Sequence, residues 1–352
     1  MEIKDIIQYL SEYDGKPLKL MEVCGTHTAA IFKNGIRELI SPKIKLISGP
    51  GCPVCVTPTA FIDKCVEYAK ATGCELLTFG DMMKVPGTGG SLSENKAGID
   101  GENRADITIM YSPFEAIEKA KAQPDKTFVV AAVGFETTAP TYALLLKQAK
   151  QEGITNIKLV TALKTAIPAL NWICENQEDI DGFICPGHVS VITGVHVYDD
   201  LAAKFKKPFV VAGFEAEHIL AAIYRIVKQI EAGEGKTENM YKNAVRENGN
   251  PKALEVLEEV YEEGPAMWRG LGIIEGSGLY LKGEYAAYDG GSHALYEDME
   301  LPKACRCGDV ITGRINPDEC PMFGQHCTPM NPFGPCMVSS EGSCGIWYRN
   351  KF

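Results

Sequence analysis

No stretch of the chain stays apolar for the about 20 residues that a membrane-spanning helix requires. Runs of Lys and Arg are missing as well: 35 basic residues face 46 acidic ones, for a net charge of −11. That balance repels phosphate backbones and anionic bilayers, so neither nucleic acid nor a membrane is an expected partner. The opening segment M-E-I-K-D-I-I-Q-Y-L is acidic and amphipathic. It lacks the basic start and apolar core of a secretory leader, which points to the cytoplasm. Low-complexity tracts are absent too. With 45% apolar and 23% charged residues the composition is that of an ordinary globule, and 352 residues suffice for two or three units.

What the chain does have is sulfur. In a reducing compartment its thirteen cysteines are not read as a disulfide framework, and deliberate spacing points to metal or redox chemistry instead. Six of them lie beyond residue 304, in a tail rich in Gly and Pro.

Eight short β-branched runs alternate with helical stretches. They are L-K-L-M-E-V (18–23), I-K-L-I-S (44–48), E-L-L-T-F (75–79), D-I-T-I-M (106–110), F-V-V-A-A-V (128–133), I-K-L-V-T (157–161), D-G-F-I-C (181–185) and P-F-V-V-A (208–212). Each is too short and too uniformly apolar for an amphipathic helix, and the segments between have crossover length. Parallel sheets in an α/β fold are therefore predicted. V-C-G-T-H-T-A (23–29) aligns with V-G-F-E-T-T-A (133–139), and each is followed by a helix and then I-K-L, so two related βαβ halves are expected. The division taken from this pattern is 16–122 for a first α/β domain, 123–225 for a second, and 1–15 with 226–352 for a helical and Cys-rich third. From 216 to 263 the pattern reads as long charged helices. Loops leaving the ends of parallel strands share one crevice, which gathers Cys24, Thr26, His27, Cys52, Cys55, Asp81, Glu136 and His188 on a rim.

At Cys24, in C-G-T-H-T, helix N-terminal amides and the nearby His27 imidazole are expected to favour the thiolate. In G-P-G-C-P-V-C (49–55) the sulfurs of Cys52 and Cys55 fall within disulfide reach, and the V-T-P-T-A-F-I-D that follows looks like a helix start able to acidify the first thiol. No second C-x-x-C completes a zinc site, so a redox pair or transient ligand remains. Cys65, Cys74, Cys174 and Cys185 are read as core packing, and His196, His218 and His293 as structural or surface groups. G-E-G-K-T (233–237) and P-G-T-G-G-S (86–91) lack the glycines and strand context of phosphate loops. Prolines beside Cys320 and after Cys327 favour an iron–sulfur centre over zinc in the tail, although spacing alone does not choose four ligands among six cysteines.

Over nearly its full length the sequence resembles the HypD family of hydrogenase maturation factors. The likeness is carried by C-G-T-H-T, G-P-G-C-P-V-C, F-G-D-M-M-K-V-P-G (79–87), V-G-F-E-T-T-A-P (133–140), C-P-G-H-V-S (185–190), W-R-G-L-G (268–272) and the tail spacing C-x14-C-x6-C-x16-C. The resemblance implies two Rossmann-like domains and a domain with a [4Fe–4S] cluster on Cys305, Cys320, Cys327 and Cys344, leaving Cys307 and Cys336 as non-ligands. It further implies a scaffold for the Fe(CN)2CO unit of [NiFe]-hydrogenase, with Cys24 on the iron beside a cysteine of a HypC-like chaperone. A HypE-like protein would donate cyanide, and Cys52 and Cys55 would exchange electrons with the cluster. On this view the chain is a monomer when alone and a redox-active scaffold rather than an independent enzyme. The rival readings are an iron–sulfur disulfide reductase acting on a protein thiol, and a small-molecule binding module with structural zinc.

Overall fold

All eight expected strands form in the computed structural model, which describes residues 2–98, 104–299 and 304–351. They are β1 (Leu18–Glu22), β2 (Ile44–Ser48), β3 (Cys74–Thr78), β4 (Ile107–Ile109), β5 (Thr127–Gly134), β6 (Ile157–Leu163), β7 (Gly182–Pro186) and β8 (Phe209–Ala212). Three more follow: β9 (Thr237–Asn239), β10 (Tyr261–Trp268) and β11 (Gly272–Leu281). Uniform burial of such strands as β5, in which all but the first residue are buried, reflects helices packed on both faces of a parallel sheet.

One parallel sheet has the order β2-β1-β7-β8-β9, and the other β4-β3-β5-β6. Read in reverse, the second becomes β6-β5-β3-β4, which matches the first four strands of its partner in the pattern of strand equivalence seen in the sequence. The internal likeness is therefore present, but the sheets do not follow the 16–122 and 123–225 division. β3 and β4 pair with β5, and β7 joins β1, so each half of the chain lends two strands to the other half's sheet. Strand-by-strand patterning carries no mark of this exchange, because a run buried on both faces fits either sheet.

The charged region from 216 to 263 is helical over Ala216–Glu231 and Pro251–Val260, but β9 intervenes and β10 begins at Tyr261. β10 and β11 form an antiparallel hairpin, with W-R-G-L-G as its turn. G-E-G-K-T leads from a helix into a strand, the reverse of a phosphate loop. Ser91 and Glu94 of the other glycine-rich stretch form a capping box for the helix Leu92–Ala97. Among the described residues no helix is long and apolar enough to cross a membrane.

The second sheet is pinned at its base by Glu75, which is 4% exposed. Its carboxylate accepts from Lys119 Nζ at 2.7 Å, Lys126 Nζ at 2.7 Å and Thr108 Oγ1 at 2.8 Å. Burial raises its pKa, but the two ammonium groups and the hydroxyl outweigh burial and hold it at about 2, against 4.5 unperturbed. Because the folded value lies below the unfolded one, this stabilisation is present above pH 4.5 and is lost as pH falls toward 2. Glu75→Gln is expected to cost about 1.5–3 kcal/mol at pH 7 and to flatten the acid limb of Tm against pH. An unchanged acid limb would refute the assignment.

Candidate functional site

The strand ends of the two sheets face each other. Val23, Pro50 and Pro186 from the first share one small apolar cavity with Phe135, Ala166 and Trp268 from the other side. Cys24 caps the helix Gly25–Lys33 at this rim and is half-buried. Its backbone N–H donates to Glu22 Oε2 at 3.1 Å, and the buried Glu22 also accepts from Thr28 Oγ1. Burial pushes the Cys24 thiol up to about 11, with the Thr26 and His27 amides pulling the other way and Glu341 adding to the rise. The expected acidification by helix amides is thus present in kind but outweighed by burial.

His27 does not act on Cys24 through its ring. The imidazole is fully buried, its Nε2 lies 3.0 Å from the Gly213 carbonyl, and it packs on Phe214 at 4.7 Å between centroids. Burial lowers its pKa to about 4, so the ring is neutral and supplies no positive charge. Only its backbone amide serves the sulfur. His188 is exposed and also packs on Phe214, at 4.0 Å between centroids. Thr26 and Phe214 line an open groove with Lys33 and Glu215.

The second thiol loop is pressed against the first. A Cβ on Gly51 would lie 2.4 Å from Cys24 N, so only glycine lets the two backbones meet there. Cys52 and Cys55 are 5% and 2% exposed, and Cys55 N–H donates to Cys52 Sγ at 3.3 Å. The helix expected to acidify the first thiol does not start until Thr59, and its first amide is taken by Asp298 Oδ1 at 3.1 Å. Burial, with the Cys336 and Cys52 sulfurs beside it, instead drives Cys55 well above the usual thiol range.

The tail closes the third side. Cys305, Cys307, Cys320, Cys327, Cys336 and Cys344 ring a small cavity together with Met322, Phe323, Gly334 and Met337. Cys336 also lines a small adjoining cavity with Gly25, Gly51, Cys52, Cys55 and Glu341. It is the sulfur common to both. Thiol hydrogen bonds from Cys307, Cys344 and Cys55 hold Cys336 well below the ordinary thiol value, and the amide of Cys344 donates to it at 3.3 Å. The family resemblance sets Cys336 and Cys307 aside as non-ligands, and no local motif marks the contact of Cys336 with the dithiol.

Glu341 was missed altogether. Its carbonyl oxygen would stand 2.2 Å from a Cβ on Gly25, so the tail backbone rests directly on the Cys24 helix. Partial burial and the nearby Asp81 raise the Glu341 carboxyl, while burial raises Asp81 against the pull of its own and Met82's amides. Beyond the tail loop, the helix Ser343–Lys351 lays Trp347 edge-on to Phe32 at 4.9 Å, and Arg37 covers both rings at 4.6 and 4.9 Å. Glu136 is buried beneath the rim, not on it. Its Oε1 accepts from Ala166 N–H at 2.7 Å, and burial lifts its pKa to about 7. Cys65, Cys174 and Cys185 are buried, and Cys74 is half-buried at the start of β3. His196 and His218 pair with Asp199 and Glu215, and His293 stacks on Tyr280.

A family model for HypD, described as the hydrogenase formation hypA family, matches residues 1–351. The chain belongs to the HypD family. A HypD hydrogenase maturation factor from Escherichia coli K12 is 42% identical over 354 residues, covering 99% of this chain and 93% of that protein. The HypD of Rhodobacter capsulatus is 41% identical, with 99% and 93% covered. A putative hydrogenase expression/formation protein from Methanocaldococcus jannaschii is 41% identical, with 99% and 96% covered. The match to each of these relatives spans nearly the whole of this HypD-family chain.

Proposed function

We propose that this chain acts in hydrogenase maturation by holding an Fe(CN)2CO unit on Cys24, facing a redox-active dithiol. One observation carries the reading: Cys24, the Cys52 and Cys55 loop and the tail sulfurs meet at a single crevice, with Cys336 shared between its two inner cavities. A low-spin iron with diatomic ligands is soft and suits thiolate, and a single protein sulfur leaves positions open for a partner cysteine. The open groove lined by Phe214 and by Thr26, two residues along the chain from Cys24, would offer a HypC-like chaperone a place to dock, and a HypE-like protein would bring cyanide.

The tail cavity fits a [4Fe–4S] cluster, since every donor lining it is sulfur and the remainder is apolar. Cys305, Cys320, Cys327 and Cys344 would hold it, and when bound it would supply electrons one at a time. The chain's own thiols then have a clear route. The Cys336 thiolate attacks Cys55 in a disulfide with Cys52, forming a bond between Cys336 and Cys55 and releasing the Cys52 thiolate. Cys307 next attacks Cys336, its thiol proton passing to the departing Cys55 sulfur, which frees Cys55 as a thiol and leaves Cys307 and Cys336 joined. The upper pair is reduced by two electrons and the lower pair oxidised by two. Burial of Cys52 and Cys55 disfavours the rival reading as a reductase of protein disulfides, because an outside sulfur has no straight approach.

Infrared spectroscopy of the protein purified anaerobically with its small partner tests the proposal, and cyanide and carbonyl stretches are expected. Their absence from an iron-loaded complex would count against it. Cys336→Ser is expected to slow reduction of the oxidised dithiol by dithionite about tenfold or more, followed by thiol trapping and mass spectrometry. An unchanged rate would remove Cys336 from the route.

A further inference from the structure

We propose that the turn at residues 268–272 is a splint that sets the approach of Cys55 to Cys336, with the buried Arg269 as its positioning residue. This rests on the thiol-exchange reading above. Successive residues of the turn are tied to different walls of the crevice. Trp268 is fully buried, donates Nε1–H to Ser277 Oγ at 2.8 Å and stacks on Phe135 at 5.8 Å. Lys164, at the end of β6, donates to the Met267 carbonyl at 2.7 Å and lies 5.4 Å from the Trp268 ring centroid. These contacts fix the turn to the second sheet.

From that base Arg269 reaches the dithiol loop twice. Its backbone N–H donates to the Val56 carbonyl at 2.9 Å, one residue past Cys55. Its guanidinium, in a residue only 1% exposed, donates from Nη2 to Thr59 Oγ1 at 2.6 Å and forms an ion pair with Asp298 at 3.0 Å. Asp298 Oδ1 in turn accepts from the Thr59 hydroxyl at 2.6 Å. The segment from Val56 to Thr59 is therefore held at both ends by one residue. On the opposite flank Gly270 has φ +84°, and a Cβ there would come within 2.8 Å of Gly308 Cα. Gly308 follows Cys307, so the turn touches the dithiol loop on one side and the Cys307 helix on the other.

Stability alone is a weak reason for this arrangement, because a buried ion pair is often no more stable than an apolar pair of similar volume. Position is the stronger one. Residues 51–58 lie in no helix or strand, and a rigid guanidinium fork defines a location better than a flexible ammonium.

The test uses the full-length protein, purified anaerobically and carrying Cys52→Ser, treated with limiting diamide. Diamide takes two electrons and two protons from a pair of thiols, giving a disulfide and the hydrazine. Cys336 can then join Cys55 or Cys307, and peptide mass mapping reads the ratio of the two products, which general destabilisation does not bias. Arg269→Gln is expected to shift that ratio about tenfold or more toward Cys307, and Arg269→Lys to recover part of it. An unchanged ratio in a folded Arg269→Gln protein overturns the proposal. Should that variant fail to fold, Thr59→Val decides: the ratio must move the same way, and no movement overturns the splint. A parent protein that never joins Cys336 to Cys55 is a different result, and it strikes the exchange reading itself.

Discussion

Replacing Cys24 with alanine is expected to abolish the cyanide and carbonyl infrared bands of the purified complex while leaving the fold and the tail cluster intact. The sulfur sits at the start of the helix Gly25–Lys33 without a strong side-chain cap, so removing it costs that helix little. A change in Tm of about 2 °C or less follows. On the proposed reading, in contrast, the iron unit would lose its one ligand from this chain, and a partner's cysteine alone would not hold it. Cys24→Ser is a sharper version, since it keeps size and polarity but offers a hard oxygen donor to a soft metal. Bands of full intensity in either variant would show that the iron is held elsewhere.

Gly25→Ala should do comparable damage for a steric reason. Alanine favours helices over glycine by about 1 kcal/mol, so on local grounds the change is stabilising. Its Cβ, however, would stand 2.2 Å from the Glu341 carbonyl oxygen, 2.7 Å from Glu341 Cβ and 2.9 Å from its carbonyl carbon. Two of those atoms are backbone and cannot swing aside. The tail loop must lift, which separates Glu341 from Cys24 and strains the Phe32, Arg37 and Trp347 stack. Overpacking of this kind costs about 1–3 kcal/mol, or roughly 2–4 °C in Tm per kcal/mol at this size, together with loss of bound iron. Gly89→Ala is the matched control, since nothing lies within 4 Å of its Cβ. Equal Tm and equal iron content for the two variants would contradict the close approach.

The strands were legible because β-branched runs such as F-V-V-A-A-V admit few other conformations. Their allotment to sheets was not, since β3 and β7 are buried on both faces and carry no pattern that distinguishes one sheet from the other. β9 is three residues of T-E-N, and β10 contains Gly264 and Pro265, so neither resembles a strand taken alone. At the site, Cys24, Cys52 and Cys55 announced themselves through spacing and turn residues. His27 misled: three positions after Cys24 it should share a helical face, yet its ring is drawn beneath Phe214 to the Gly213 carbonyl, a contact made 186 residues away in sequence. Cys336 and Glu341 acquire meaning only through tertiary approach, the one to Cys55 and the other to Gly25, and short-range patterns do not encode such meetings.

The central claim is that the tail sulfurs hold a polynuclear iron centre next to a crevice whose outer thiolate carries a second, chemically distinct iron. Mössbauer spectroscopy of the ⁵⁷Fe-enriched protein, purified anaerobically with its small partner, tests this most directly. Two components are expected, one from a sulfur-ligated cluster and one from low-spin ferrous iron, and only the second should vanish in Cys24→Ala. A spectrum with a single component that survives Cys24→Ala unchanged, or a protein carrying zinc in place of iron, would contradict it.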